Sequence, residues 1–193
     1  HLNSVSGDNR QSNLLFENDG GGQFTDISER SGVLSTGNRI HRSAIFADYD
    51  DDGKVDIFVT VNGQQVEDGQ GNNIFDPNQG KGVLFHNETK SENNWIKVRL
   101  EGTKSNRDGF GATVAIKAGS IKDKQALVSG QGYFSAHAKE IYFGLGSVKS
   151  IDKIKVSWPS GMDQTFENIP ANQTVYILEG ETLHQNTSHL IIK

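Results

Sequence analysis

The amino-acid sequence predicts an all-β protein, and three observations support this fold class. Short runs rich in β-branched and aromatic residues recur along the chain, and several alternate apolar and polar residues with a period of two. The chain contains 22 Gly but only 3 Pro, and turn residues separate the runs at short intervals. The sequence has no segment with the periodicity of a long amphipathic helix. Regularly spaced short strands and turns therefore predict the all-β class.

In the first half, strands are expected at 13–18, 23–27, 43–47, 55–61 and 82–87. The first two flank the turn Asp19-Gly20-Gly21-Gly22 and so predict a hairpin, in which Asp19 is expected to be a turn residue rather than a cation ligand. Residues 28–38 are expected to form an irregular connector with one helical turn. Residues 63–82 predict a long loop, which Ile74 and Phe75 either anchor to the core or display to a partner.

A short internal repeat suggests how these strands are organised. The pattern Leu-Phe-x-Asn occurs at 15–18 and again at 84–87. Repeated four-stranded units are typical of β-propeller blades, so the first half predicts a propeller-blade-like segment of about one and a half units. We therefore expect the chain, which begins at His1 rather than Met, to be the end of a longer propeller. Such a segment exposes sheet edges that could associate with other chains.

The second half has a different pattern, with strands expected at 95–100, 111–117, 125–128, 140–143, 151–158, 164–166 and 174–178. Several short strands at this spacing predict a β-sandwich or a small barrel. We place the domain boundary near residue 91, which gives a first domain at 1–90 and a second at 91–180. The polar tail 181–193 is expected to add an edge strand or to be disordered.

An acidic stretch is the most distinctive feature of the chain. Five carboxylates fall within residues 48–56, and Lys54 is the only basic residue among them. Without compensation these charges would repel one another and favour a disordered loop. Strand-like runs nevertheless flank the stretch on both sides, so a tight acidic loop between two strands indicates a bound cation.

The spacing of this stretch indicates Ca²⁺ as the cation. The predicted ligands are Asp48, Asp50, Asp52, the backbone carbonyl of Lys54 and Asp56, which match positions 1, 3, 5, 7 and 9 of a calcium loop. Gly53 occupies the position of the sharp turn, and an all-oxygen ligand set suits a hard cation. Position 12 is Val59 rather than a bidentate Glu, and the flanks are strands, so the loop is not an EF-hand. Asp51 is expected to point away from the cation, either as a solvated charge or as a charge just outside the ligand set. The alternative for the whole stretch is an acidic surface turn without metal.

Composition and missing motifs argue against several functional classes. The net charge of −5 and the lack of a basic block disfavour nucleic-acid binding, and no apolar run has the length of a membrane span. The sequence contains no Cys, and the usual nucleophile, phosphate-binding and metalloprotease motifs are missing. We therefore expect a protein that is not an enzyme. A hydrolase that uses the cation would need a convergent His or Glu, which the sequence does not indicate.

Three aromatic residues are candidates for ligand contact. Tyr133 and Phe134 lie beside glycines, which is consistent with a sugar-stacking surface and equally with a hairpin that closes the core. Trp158 precedes Pro159-Ser160-Gly161 and is expected to be a core residue at the end of a strand; if exposed, it would be a candidate for stacking on a sugar.

Both halves also resemble known families. The segments 13–18, 22–26 and 47–53 resemble the FG-GAP/VCBS repeat, and 94–103, 105–112, 143–146 and 158–161 resemble the ASPIC/UnbV domain. Together they are similar to the C-terminal part of proteins of the cartilage acidic protein type, which usually have more repeats before this point. The resemblance covers roughly residues 13–180.

The resemblance implies a secreted or cell-surface, calcium-binding and non-catalytic protein linked to adhesion or recognition. In bacteria such proteins can accompany glycan-uptake systems, so the resemblance leaves two kinds of partner open, an extracellular protein or a glycan. The alternative function is accordingly a carbohydrate-binding module of a glycan-uptake or glycan-degrading system. This alternative comes from the association of the family with glycan uptake and not from the geometry of the acidic loop.

Overall fold

A computed structural model describes residues 12–36, 40–62, 65–67, 69–70, 73–75 and 80–181, with the backbone alone for 62, 65–67 and 73–75. Within these ranges the chain is almost wholly β, which confirms the predicted fold class. The 3₁₀ helix Val33–Thr36 lies in the segment for which one helical turn was expected.

The first seven strands are β1 Phe16–Asn18, β2 Phe24–Asp26, β3 Ile40–Ala47, β4 Asp56–Asn62, β5 Gln65–Glu67, β6 Asn73–Phe75 and β7 Val83–Phe85. Strands β1 and β2 pair antiparallel and confirm the predicted hairpin. Its turn is closed by the Asp19 carboxylate, which accepts hydrogen bonds from the amides of Gly21 and Gln23 at 2.6 and 3.1 Å. Asp19 is thus a turn residue, as expected.

Strands β3, β4 and β7 form one antiparallel sheet with β4 in the centre. Its register pairs Ala47 with Asp56, so residues 48–55 form the connection at one end of the β3–β4 hairpin. Both strands were expected from their β-branched and aromatic residues. Their pairing fixes the two ends of the acidic stretch next to each other.

The segment 63–82 differs from the long loop that the sequence predicts. It contains β5 and β6, which pair antiparallel with Val66 opposite Ile74. Each strand is three residues long, too short for an alternating pattern to distinguish it from a loop. The predicted anchoring role of Ile74 and Phe75 concerns side chains outside the described part of the structure.

The second half contains β8 Asn94–Glu101, β9 Thr113–Ala118, β10 Ile121–Ala126, β11 Glu140–Gly146, β12 Ser150–Ser157, β13 Asp163–Pro170 and β14 Gln173–Leu178. One sheet has the order β10-β9-β12-β13 and the other β11-β8-β14. Strand β10 begins four residues earlier than predicted, because its first half is polar and largely exposed and so lacks a core-facing pattern.

Both sheets contribute to one hydrophobic core, which supports the predicted sandwich-like arrangement. Alternate residues of β9 are buried, and so are the alternate apolar residues Ile96, Val98 and Leu100 of β8, as a period of two requires for strands with one face in a core. The most completely buried apolar side chains are Ile96, Val98, Val114, Phe143, Leu145, Ile151, Ile154, Val156 and Val175.

The end of β14 is held by a buried carboxylate. Glu179 is 2% exposed, and its Oε2 accepts the amide hydrogens of Thr103, Lys104 and Ser105 at 2.7–2.8 Å. Its Oε1 accepts hydrogen bonds from the hydroxyls of Ser105 and Ser160. Burial by itself raises the pKa of Glu179, but these hydrogen bonds outweigh it and lower the pKa to about 2.

The described residues divide into two compact units. The first comprises 12–47, 56–87 and 132–135, and the second comprises 48–55, 88–131 and 136–181. The domain boundary near residue 91 stays a prediction. Residues 48–55 belong to the second unit although they lie in the first half of the chain. Residues 132–135 belong to the first unit although they lie in the second half. The predicted tail lies outside the described residues from 182 onward.

Candidate functional site: the acidic loop and its buried lysine

The acidic loop, residues 48–55, is closed by hydrogen bonds from its own backbone. The Asp48 carboxylate accepts the amide hydrogens of Asp52 and Gly53 at 3.0 and 3.1 Å. The Asp52 carboxylate accepts the amide of Lys54 at 2.8 Å and also bonds its ammonium. Aspartate side chains thus satisfy the amides that a tight turn leaves without strand partners.

Gly53 is required at its position for two reasons. Its φ of +86° lies in the left-handed region, which residues with a Cβ adopt at a cost. A Cβ on Gly53 would also lie 2.0 Å from Cε2 of Trp95, on β8 of the same unit. The turn therefore packs directly against an indole ring.

Three of the predicted ligands come together within the continuous stretch 48–56. Carboxylate oxygens of Asp48, Asp50 and Asp56 all lie within 4.8 Å of one another. Oxygens that bind one Ca²⁺ at 2.3–2.6 Å can be at most about 5 Å apart, so this separation fits the ion. Asp48 and Asp56 are buried, whereas Asp50 is exposed.

Asp56 has a further partner in the first unit, since its Oδ1 accepts the amide hydrogen of Asn87 at 2.7 Å. Asp52 and Lys54, the remaining predicted ligands, bond to each other through the contacts described above. The arrangement of this stretch therefore fits the predicted ligand set, which stays a prediction.

A buried lysine lies against the loop, and the sequence analysis did not anticipate it. The Lys97 side chain is fully buried, and its Nζ donates to Asp48 Oδ2 at 2.9 Å and also bonds Asp51. Burial alone lowers the pKa of Lys97, but the hydrogen bonds to Asp48 and Asp51 and the nearby Glu140 raise it overall. Lys97 is therefore a permanent cation that offsets the charge of the loop.

A second layer of polar residues supports this ion pair. The Tyr142 hydroxyl accepts the amide hydrogen of Asp48 at 3.1 Å and donates to Glu140. Burial and the bond to Glu140 raise the pKa of Tyr142, so it remains a neutral donor. Glu140 also pairs with Arg99, whose Nη2 lies 3.5 Å from Asp51. Asp51, with a φ of 60° and a side chain that is 53% exposed, pairs with both cations, which fits the expectation of a charge that lies just outside the ligand set.

The signal that could have identified Lys97 is the alternation of β8. Trp95, Lys97 and Arg99 share one strand face, and Ile96 and Val98 share the other. Period-two patterning assigns the polar face to solvent, yet Lys97 is completely buried. An acidic loop with little local compensation requires cations from elsewhere in the chain, and β8 supplies two on one face.

The other predicted ligand-contact residues lie elsewhere. Tyr133 and Phe134 are 56% and 93% exposed and meet edge to face, with ring centroids 4.7 Å apart. They border a cleft of about 470 Å³ in the first unit, which is also lined by Arg42, Ser43, Ile45, Thr60 and Ser135. The sequence-based alternative in which these aromatics close a core is therefore excluded by their exposure.

Trp158 belongs to the core of the second unit. Its side chain is 4% exposed, and its indole N–H donates to the Gln164 side chain. The ring face is therefore covered by protein, and the proposed role of Trp158 in ligand stacking is corrected to a packing role. The structure thus shows Trp158 as a core residue at the end of a strand, as its position before a turn led us to expect.

Comparison with known proteins finds one family match in each half of the chain. The helical residues in the described ranges form only the short 3₁₀ turn, which cannot cross a membrane. The family described as FG-GAP-like repeat matches residues 2–59, and the family described as ASPIC and UnbV matches residues 102–184. No curated protein matches the chain. The two matches follow one another along the chain as the sequence resemblance implied, with an FG-GAP-like repeat before an ASPIC and UnbV domain.

Proposed function

We propose that this chain is an extracellular, non-catalytic recognition module in which a Ca²⁺ ion stabilises the acidic loop. FG-GAP-like repeats are typical of extracellular proteins and commonly bind calcium, and both matched families fit recognition or adhesion better than catalysis. The observation that supports calcium most directly is the approach of the Asp48, Asp50 and Asp56 oxygens to within 4.8 Å. Asp52 and the Lys54 carbonyl complete the proposed ligand set.

The ion would act on the protein by fixing the connection between β3 and β4. When bound, Ca²⁺ supplies positive charge that Lys97 and Arg99 provide only in part. The carboxylates hold the loop backbone through the bonds that Asp48 and Asp52 accept. The order of the loop would then be transmitted to the surfaces that contact a partner.

Thermal melting in calcium and in chelator tests this proposal. If Ca²⁺ binds the folded state alone, a concentration about a hundred times its dissociation constant adds roughly 2.7 kcal/mol to the free energy of unfolding. For a chain of this size that corresponds to a rise in Tm of about 5–11 °C. Equal melting temperatures in calcium and in chelator would contradict the proposal.

The variant Asp50→Asn is the sharpest probe of the ligand set, because Asp50 is the exposed member of the three clustered carboxylates and Asn keeps the size of its side chain. We expect it to fold normally in chelator and to lose most of the calcium-dependent shift. Asp123→Asn, at an exposed carboxylate on β10, is the matched control and should retain the full shift.

Carbohydrate binding is a second candidate, which the cleft beside Tyr133 and Phe134 supports. Phe134 is almost fully exposed at a φ of 50°, a strained conformation for an aromatic residue. Exposed ring faces attract the polarised C–H groups of sugars, and the Arg42 guanidinium and the hydroxyls of the cleft suit hydroxyl and carboxylate groups.

Affinity electrophoresis through gels that contain neutral or acidic polysaccharides tests this second candidate. We expect retardation of the protein by at least one polysaccharide and its loss in Phe134→Ala. Phe24→Ala removes another highly exposed aromatic ring, which does not line the cleft, and should migrate as the unmodified protein does. Migration independent of every polysaccharide would leave protein adhesion as the recognition function.

A further inference from the structure

We propose that Lys97 sets the calcium affinity of the acidic loop by acting as a built-in competing cation. This inference rests on the calcium site proposed above and assigns a role to a residue outside its ligand set. Lys97 lies on β8, more than forty positions along the chain from the nearest loop carboxylate. Its ammonium nevertheless bonds Asp48, the first ligand of the loop.

The contact geometry makes the competition direct. Asp48 Oδ2 accepts from Lys97 Nζ at 2.9 Å and from the Gly53 amide at 3.1 Å. An ammonium on a ligand oxygen withdraws electron density that would otherwise bind a metal, and it repels a divalent ion at short range. The affinity of oxygen-ligand calcium sites depends strongly on the number of ligand charges, so one neutralised carboxylate weakens the site.

Burial makes this competition permanent. The side chains of Lys97 and Asp48 are both fully buried, so solvent and salt screen their interaction only weakly. Two further residues contact the pair: Glu140 Oε2 lies 4.0 Å from Nζ, and the Tyr142 hydroxyl accepts the amide hydrogen of Asp48. Lys97 is thus held in place in the calcium-free protein, where it also compensates the loop charge.

Lys54 provides an internal comparison. Its ammonium also bonds a predicted ligand, Asp52, but the Lys54 side chain is 38% exposed. Solvent weakens such a pair, and the flexible side chain can move away when an ion binds. Lys97 on β8 and Lys54 in the loop therefore differ in burial, while each bonds a proposed ligand.

The test is calorimetric titration of calcium into the full chain after treatment with chelator. Lys97→Met keeps the length of the side chain and removes its charge, and we expect it to bind calcium about tenfold more tightly than the unmodified protein or better. Lys54→Met should change the dissociation constant by less than about threefold. In chelator, Lys97→Met should unfold at a lower urea concentration than the unmodified protein. Saturating calcium should reduce this difference in urea midpoint, because the variant that binds calcium more tightly gains more stability from it.

The possible outcomes separate the two proposals. If the unmodified protein binds calcium and Lys97→Met binds with equal or weaker affinity, Lys97 is only a structural residue and the inference is overturned. If only Lys97→Met binds calcium, the inference stands and the calcium function of the natural loop fails. If Lys97→Met is unfolded in chelator, circular dichroism during calcium titration replaces calorimetry, and failure to fold in millimolar calcium overturns the inference.

Discussion

Gly53→Ala tests whether the acidic loop depends on its packing against β8. The substitution places a Cβ where φ is +86° and where Trp95 Cε2 and Nε1 are 2.0 and 2.1 Å away. The left-handed backbone costs an L-residue about 1–2 kcal/mol. Displacing a ring to admit an extra carbon costs about 1–3 kcal/mol more. We therefore expect a loss of about 2–5 kcal/mol in the free energy of unfolding.

A matched glycine separates the two contributions. Gly20 has a φ of +84°, but a Cβ there would meet nothing within 4 Å. Gly20→Ala should therefore lose only the backbone contribution of about 1–2 kcal/mol. Urea denaturation of both variants in chelator, followed by circular dichroism, measures the difference. Equal losses in the two variants would refute the close packing of Gly53 against Trp95.

Two further predictions concern the second unit. The pKa of Glu179 is lowered to about 2 in the folded state from an ordinary value of 4.5, so its contribution to stability is complete above pH 4.5 and is lost as the pH falls towards 2. Urea midpoints between pH 7 and pH 2.5 should fall less steeply in Glu179→Gln than in the unmodified protein, and parallel curves would contradict this assignment. Phe143 is 1% exposed, so Phe143→Ala should lose about 3–5 kcal/mol in the same assay, and a loss below about 1 kcal/mol would contradict its place in the core.

The parts of the fold that follow from local pattern could be predicted from the sequence. Strands β8 and β9 alternate core-facing apolar residues with outward-facing ones over about six positions, long enough for a period of two to be recognised. Strands β5 and β6 could not be found in this way, because three residues contain too little pattern. Their existence depends on pairing with each other, which is a non-local property.

The candidate site also has a part that follows from local pattern and a part that depends on the tertiary fold. The spacing of its carboxylates is local, and the sequence could place Asp48, Asp50 and Asp56 near one another because they belong to one short loop. The buried ammonium of Lys97, in contrast, comes from a distant part of the sequence. Lys97 lies in a separate strand whose pattern assigns it to solvent, and only the tertiary fold brings it to Asp48.

Side-chain exposure in the first unit was also beyond local pattern. Leu14, Phe16 and Phe24 are 65%, 51% and 65% exposed, although apolar residues in a hairpin usually indicate a core-facing side. A two-stranded sheet buries such a face only if another layer covers it. The sequence shows which residues are apolar, but it does not show whether a covering layer is present in this part of the chain.

The parallel pairing of β14 with β8 has a consequence for biosynthesis. Val175 on the last described strand lies beside Val98 on the first strand of the second unit, so this pairing closes a loop of nearly eighty residues. During translation the growing chain cannot complete this sheet until the final strand has left the ribosome. Pairings that are distant in sequence form slowly, and incomplete edges are prone to aggregate. We therefore expect premature truncation within β14 to yield a chain that depends on chaperones, whatever the state of the acidic loop.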